Sequence, residues 1–275
     1  MISVIVANHN GVEHLERCLS SVVGSELVTE VLLVDNNSRD GSLELVKSQF
    51  PSVTLLDQET NLGCAAANNL AAKRARGDAL LLLNADAWLA RQALEALNAR
   101  FEAEPRLGLV APRLHYPNGS WQFTWSPARG VLGEVTQKLR NPFEASSWAH
   151  GRLARACARL AGRTWYTAAC VLVRTAAYRT VGGFDADFFM YFEDVDLCIR
   201  LEEAGWRLAQ EPRATATHVG GFRRNAGIDS LYRPSQLRFY RIRRPAWEAR
   251  YVERRLRRRF GDGAVDRWLG VEKTE

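Results

Sequence analysis

Cysteine is scarce and unpatterned in this chain. Its five cysteines, Cys18, Cys64, Cys157, Cys170 and Cys198, are odd in number and scattered. No C-x-x-C pair or Cys/His cluster occurs, which argues against a zinc site and a disulfide framework. Reduced cytosolic thiols are the expected state. Long apolar runs are missing too. Nowhere do about 18 apolar residues follow one another, so no transmembrane helix is expected. Ile2–Ala7 reads as a strand with no basic segment before it, so no signal peptide is expected. The first strand is not followed by Gly-x-Gly-x-x-Gly, and no Walker A lysine appears, which argues against dinucleotide and P-loop sites. A soluble or peripheral cytoplasmic protein is the expectation.

Acids are sparse in one segment. From Phe222 to Phe260 there are 13 arginines against Asp229, Glu248 and Glu253, a net charge of +10. The whole chain carries +6, so the remainder is near −4. A slightly acidic body therefore bears a basic C-terminal segment. At 275 residues and 47% hydrophobic, the chain can bury a full core as one large domain or as a domain with an appendage.

What is present alternates. Apolar runs at Ile2–Ala7, Glu30–Val34, Val53–Leu56, Ala79–Leu83 and Leu109–Ala111 read as strands. Helical spacing falls between them: Val12 to Val22, Ser42–Phe50, the alanine-rich Cys64–Arg76, and Leu94 with Leu97 and Phe101. This order predicts a mainly parallel α/β sheet with crossover helices. Ligands of such sheets bind outside the carboxyl ends of the strands. Three of those ends carry Asn8, Asp35 and Asp86. Residues 112–163 are irregular, with Trp121, Trp125 and Trp148 and a helical hint from Leu153 to Leu160. They read as an insertion near the site or as plain surface. Trp165–Arg174 reads as one apolar strand, and Val181–Asp185 as a glycine turn.

Residues 188–200 read FFMYFEDVDLCIR. An aromatic run enters Glu193, Asp194 and Asp196, and a helical pattern follows. Apolar surroundings disfavour a charged carboxylate and raise its proton affinity. A carboxylate placed there can take a proton from a hydroxyl group. A helix start that simply attracts acids explains one or two of them, but not the aromatic run before them.

Taken together, Val4–Asn10 (VIVANHN), Val34–Ser42 (VDNNSRDGS), Asn61–Asn69 (NLGCAAANN), Asn84-Ala85-Asp86, Gly182–Asp185 (GGFD) and Phe188–Arg200 resemble the family 2 inverting glycosyltransferases of the GT-A fold. Within them the chain is most similar to bacterial rhamnosyltransferase-type enzymes. The resemblance spans about residues 1–220. It implies a GT-A domain over 1–221, with a nucleotide-binding half (about 1–111) and an acceptor-side half (about 112–221). Residues 222–275 form a basic helical extension.

The resemblance also implies roles. Asp35 contacts the nucleotide base, with Asn36 beside it, and Asn8, Asn61 and Gly63 lie along the nucleoside. Asn84, Trp165 and Arg200 complete the nucleotide-sugar set, and Arg200 supports either the carboxylates or the phosphates. Asp86 holds Mg²⁺ or Mn²⁺ on the diphosphate. His218 is either a ligand to that metal or diphosphate, or a buried hydrogen-bonded histidine. Asp194 is the catalytic base, with Glu193 next to it. The implied donor is dTDP-rhamnose, with UDP-hexoses as the alternative. The implied acceptor is a growing cell-surface glycan on a lipid carrier.

The chemistry suits these residue types. Charge builds on a departing diphosphate, which a divalent cation offsets, and one base on the opposite face deprotonates the acceptor. Asn84 stands where relatives carry aspartate, which removes one charge from the metal corner. Ala168 replaces a common glycine, and Phe222-Arg223-Arg224 follows Gly221 where small residues are usual.

For the basic segment three readings stand: packing on the body or a second copy as a homodimer, contact with an anionic membrane, and nucleic acid binding. No nucleic-acid motif is present, so no nucleic acid partner is expected. A non-catalytic sugar-nucleotide-binding module is the alternative to an enzyme.

Overall fold

The computed structural model describes residues 1–122, 125–127, 130–131, 164–220 and 226–270. Trp148, the helical hint at Leu153–Leu160 and Phe222-Arg223-Arg224 lie outside the described residues.

The N-terminal half is a run of strand–helix units. Strands β1 (Ile2–Asn8), β2 (Val28–Asp35), β3 (Thr54–Asp57) and β4 (Ala79–Asn84) pair in parallel in the order β3-β2-β1-β4. Helices α1 (Val12–Ser20), α2 (Ser42–Gln49) and α3 (Gly63–Arg74) connect them. β1 is buried along nearly its whole length, as suits a central strand covered on both faces. α1 buries Leu15, Cys18 and Leu19. α3 buries Ala65, Ala67, Ala71 and Ala72, side chains small enough for the helix to lie close to the sheet.

The second half completes a nine-stranded sheet in the order β3-β2-β1-β4-β10-β6-β11-β5, with β7 attached to β6. Its elements are β5 (Ala87–Leu89), α4 (Ala93–Ala103), β6 (Leu107–His115), β7 (Trp121–Gln122), β8 (Trp125–Pro127), β9 (Thr164–Tyr166), β10 (Cys170–Arg174), α5 (Thr175–Thr180), α6 (Glu193–Glu203) and β11 (Arg207–His218). The sheet is mixed. β10 runs antiparallel to both β4 and β6, while β6 and β11 pair in parallel. The run Trp165–Arg174 is two strands rather than one. Thr164–Tyr166 pairs with β8 in a separate two-stranded sheet, and the chain turns before Cys170–Arg174 enters the main sheet.

Three helices follow: α7 (Ala226–Arg243), α8 (Ala246–Phe260) and α9 (Asp262–Trp268). Tyr232, Leu237, Phe239, Tyr240, Val252, Leu256 and Val265 are buried in the same hydrophobic cluster as one face of the sheet and α6. Their arginines pair with acids of the body: Arg238 with Asp185 and Asp187, and Arg243 with Asp196 and Glu203.

Candidate active site

The site is built on the rim where the parallel strands end. The β1–β2 register sets Asn8 opposite Asp35, and the β1–β4 register sets Ala7 opposite Asn84. Polar residues from three neighbouring strands thus reach one edge. Asp35 is fully buried. One of its oxygens accepts from Asn8 Nδ2 at 2.8 Å and the other from the Ser38 backbone N–H at 2.8 Å. Each oxygen thus takes one internal hydrogen bond, and each keeps a second lone pair. The observed work of this carboxylate is to hold Asn8 and the 36–38 turn. Asn8 Oδ1 is buried with no hydrogen-bond partner among the described residues. A Cβ at Gly11 would lie 2.4 Å from that oxygen.

The next turn ties the nucleotide side to the acids. Asn36 is buried, and its Oδ1 accepts from the Leu62 N–H at 3.3 Å. Asn61 Oδ1 accepts from the Gly63 N–H at 2.9 Å. The Cys64 N–H donates to the Phe189 carbonyl at 2.8 Å. Gly63 has φ +81°, and a Cβ there would sit 2.5 Å from the same carbonyl. Only glycine allows both the left-handed backbone and this approach.

The aromatic run is an anchor. Phe188 and Phe192 are buried, and Phe192 packs on Tyr232 and Phe239 with ring centroids 5.1 and 5.2 Å away. Ser235 Oγ donates to the Met190 carbonyl at 2.7 Å. Tyr191 and Phe192 hold φ of +70° and +69°, a region that costs non-glycine residues roughly 1–3 kcal/mol each. α7 therefore clamps a strained turn directly before the acids.

Glu193 is enclosed, and its Oε2 has no hydrogen-bond partner among the described residues. Burial and the neighbouring Asp194 charge push its pKa up to about 8, against the pull of a hydrogen bond from the Cys64 thiol. The same environment raises the Cys64 thiol well above its ordinary value, chiefly through burial and then through the Glu193 charge. Asp194 is half-buried, and its Oδ1 accepts from the Val195 N–H at 2.8 Å. The pair divides into a carboxyl that keeps its proton near neutral pH and a carboxyl with access to solvent.

Asp196 is a brace. It is fully buried and accepts from Arg200 Nε and Arg243 Nε, each at 2.6 Å. Arg200 also donates to the carbonyls of Val181 and Gly183 at 2.6 Å. Arg200 thus ties Asp196 to the Val181–Gly183 turn. Trp165 is buried in the core on β9, next to Tyr166, whose N–H meets Cys198 Sγ at 3.4 Å.

The last corner joins β4, β5 and β11. His218 Nε2 lies 3.3 Å from Asp86 Oδ1 and 3.4 Å from Asn84 Nδ2, and its Nδ1 lies 2.8 Å from Gln122 Oε1. The Gly220 N–H donates to Asp86 Oδ2 at 3.2 Å. Burial raises the Asp86 pKa, but the His218 hydrogen bond and charge and the Gly220 N–H outweigh it and hold the carboxyl below its ordinary range. His218 is thus both hydrogen-bonded and next to the acid. Among the described residues no cluster of three or more His, Cys, Asp or Glu is placed to hold a metal. The corner offers two donors, one carboxylate and one imidazole. That set fits a cation that takes its other ligands from diphosphate oxygens and water, and the imidazole suits Mn²⁺ better than Mg²⁺.

Gln122, Cys64, Ser38 and Gly11 were not singled out as site residues by sequence. Cys64 and Ser38 lie inside motifs that drew attention, but Gln122 sits in the irregular stretch where no periodicity marks it.

A family model described as "Glycosyl transferase family 2" matches residues 3–163. An N-acetylglucosaminyl-diphospho-decaprenol L-rhamnosyltransferase of Mycobacterium tuberculosis is 33% identical over 236 residues, covering 79% of this chain and 76% of that protein. Two solved structures share the fold. A mannosyltransferase of Pyrobaculum calidifontis in complex with GDP-Man and Mn²⁺ superposes with TM-score 0.61 and 18% identity, over 98% of this chain and 73% of its own. GalNAc-T7 with UDP, GalNAc and Mn²⁺ superposes with TM-score 0.63 and 16% identity, over 88% of this chain and 48% of its own. The mixed sheet with flanking helices is the GT-A architecture of these neighbours.

Proposed function

The chain belongs to glycosyl transferase family 2, and from that premise we propose an inverting transfer of a sugar from a nucleoside diphosphate to a hydroxyl group. The observation that carries this reading is the continuity of one rim. The Asp86–His218 corner ends β4 and β11, and Asn8 and Asp35 end β1 and β2. The 61–64 turn links that edge to the segment bearing Glu193 and Asp194 through the Cys64–Phe189 hydrogen bond.

Asp194 is the general base. It is the half-open acid of the pair, and it removes the proton from the acceptor hydroxyl as that oxygen attacks the anomeric carbon. Glu193, still protonated, leaves a single negative charge beside the reacting centre. Asn8, Asn36, Asn61 and Gly63 shape the nucleoside side of the rim. Asp86 and His218 are the residues that would hold Mn²⁺ or Mg²⁺, whose charge would offset that of the departing diphosphate. Asn84 orients His218.

The donor we favour is dTDP-rhamnose, as the family resemblance implies and because the mycobacterial relative is an L-rhamnosyltransferase; its N-acetylglucosaminyl-diphospho-decaprenol acceptor favours a lipid diphosphate here. Asp194→Asn is the test. Release of nucleoside diphosphate from donor and acceptor should fall about 10²- to 10⁴-fold, the range of a lost general base, while calorimetric nucleotide affinity stays within about twofold. Unchanged turnover would remove Asp194 from this role. Thermal shifts with dTDP, UDP and GDP in Mn²⁺ identify the nucleotide, and the largest shift with UDP or GDP would overturn the thymidine assignment.

A further inference from the structure

The arginines of α8 are sorted by face. On its inner side Glu248, Val252 and Leu256 are buried. Arg244, just before the helix, pairs with Glu248, and Arg257 pairs with Glu253 and Asp266. On the outer side Trp247, Arg250, Tyr251, Arg254 and Arg258 follow one another at i, i+3, i+4, i+7 and i+11, and all are exposed. Trp247 is 57% exposed and Tyr251 49%. Packing on the body accounts for the paired arginines but not for two large rings in solvent among three outward guanidiniums.

That combination has a physical match. Indole and phenol rings settle at the headgroup level of a bilayer, and guanidiniums pair with lipid phosphates. A helix with one apolar and anchored side normally buries it in the protein. Here the buried side already belongs to the core, so the rings on the outer side need another partner. A second copy on a two-fold axis would set this basic face against itself. Arginines alone would also suit nucleic acid phosphates, but no nucleic-acid-binding motif accompanies this face, and the two exposed rings match headgroup depth.

We propose that the outer face of α8 docks on an anionic phospholipid bilayer, with Trp247 and Tyr251 at headgroup depth and Arg250, Arg254 and Arg258 on the phosphates. This holds whatever donor sugar the rim accepts, because none of these five residues is among those placed at the rim.

Flotation of the full chain with vesicles decides it. The wild type binds phosphatidylcholine–phosphatidylglycerol vesicles at about 0.1 M salt and not phosphatidylcholine alone, and much of that binding is lost at about 0.5 M. The variant Arg250→Gln/Arg254→Gln/Arg258→Gln lowers the partition coefficient about a hundredfold, since each basic side chain near such a surface contributes roughly a factor of five. Trp247→Ser/Tyr251→Ser removes the binding that survives high salt. Equal flotation of wild type and the arginine variant would overturn the proposal. So would absence of binding to the anionic vesicles, preference for duplex DNA over them, or a wild-type dimer that the arginine variant lacks. Should the triple variant misfold by circular dichroism, the aromatic variant and the wild-type lipid and salt series still decide.

Discussion

The Nδ1 of His218 sits 2.8 Å from Oε1 of Gln122, and this contact turns the other ring nitrogen towards Asp86. The ring is thereby held with Nε2 facing a carboxylate oxygen 3.3 Å away, the two donors that the proposed cation would share. Removing the outer partner of a metal-ligating histidine typically costs 10- to 100-fold in metal affinity. Gln122→Ala should therefore weaken Mn²⁺-supported nucleotide binding by about that factor and leave metal-free binding unchanged. Calorimetry with and without Mn²⁺ reads both, and an equal loss in the two conditions would reduce Gln122 to a structural residue.

Glu193 makes stability depend on pH in a stated direction. Its folded pKa is raised to about 8, from the 4.5 of an ordinary glutamate. The folded chain therefore binds more protons than the unfolded chain between those values. The contribution is full below about pH 4.5 and is lost as pH rises through about 8. Glu193→Gln keeps the neutral form at every pH. Between pH 6 and pH 9 the wild type should lose about 3 kcal/mol relative to this variant, or about 6–12 °C in Tm. Parallel melting curves across that range would show that the carboxyl ionises freely in the fold.

Asp196 predicts a loss without any contact to substrate. It is the buried acid between Arg200 and Arg243. Asp196→Asn leaves two guanidiniums facing a neutral amide, and breaking a buried pair in this way costs about 3–5 kcal/mol. Urea unfolding should show a lower midpoint at an unchanged slope. A variant as stable as the wild type would mean that the two arginines find other partners.

These residues also mark how far the sequence could be read. β1, β2 and β4 were legible because each is a continuous apolar run stopped by polar residues, and the stops Asn8, Asp35 and Asp86 fall on or next to one rim. Strand direction was not legible. A buried strand such as Cys170–Arg174 has the same composition whether its neighbours run with it or against it. The break within Trp165–Arg174 was hidden because no glycine or proline marks the turn at 167–169. β5 has only three residues, too few for a period to show. The brace at Asp196 depends on Arg243, 47 positions away, and the orientation of His218 on Gln122, 96 positions away. Local patterns carry no trace of such pairings. Asp35 shows the converse: its place at a strand end is legible, but its internal hydrogen bonds to Asn8 and to the Ser38 N–H are not.

Two glycines separate backbone strain from the coupling of the site. Gly63 and Gly182 both hold left-handed φ, +81° and +77°. A Cβ on Gly182 would meet nothing within 4 Å, whereas a Cβ on Gly63 would lie 2.5 Å from the Phe189 carbonyl. Gly182→Ala should therefore lose only the left-handed cost, roughly 1–2 kcal/mol, and transfer sugar at the wild-type rate. Gly63→Ala carries that cost and also forces α3 away from the 188–192 turn, stretching the Cys64–Phe189 hydrogen bond and the thiol contact to Glu193. It should be destabilised by about 3 kcal/mol or more and lose turnover well beyond its loss of folded protein. Turnover per folded molecule, with folding followed by circular dichroism at the assay temperature, isolates the difference. Equal turnover in the two variants would mean that the glycine turn and the acids act independently.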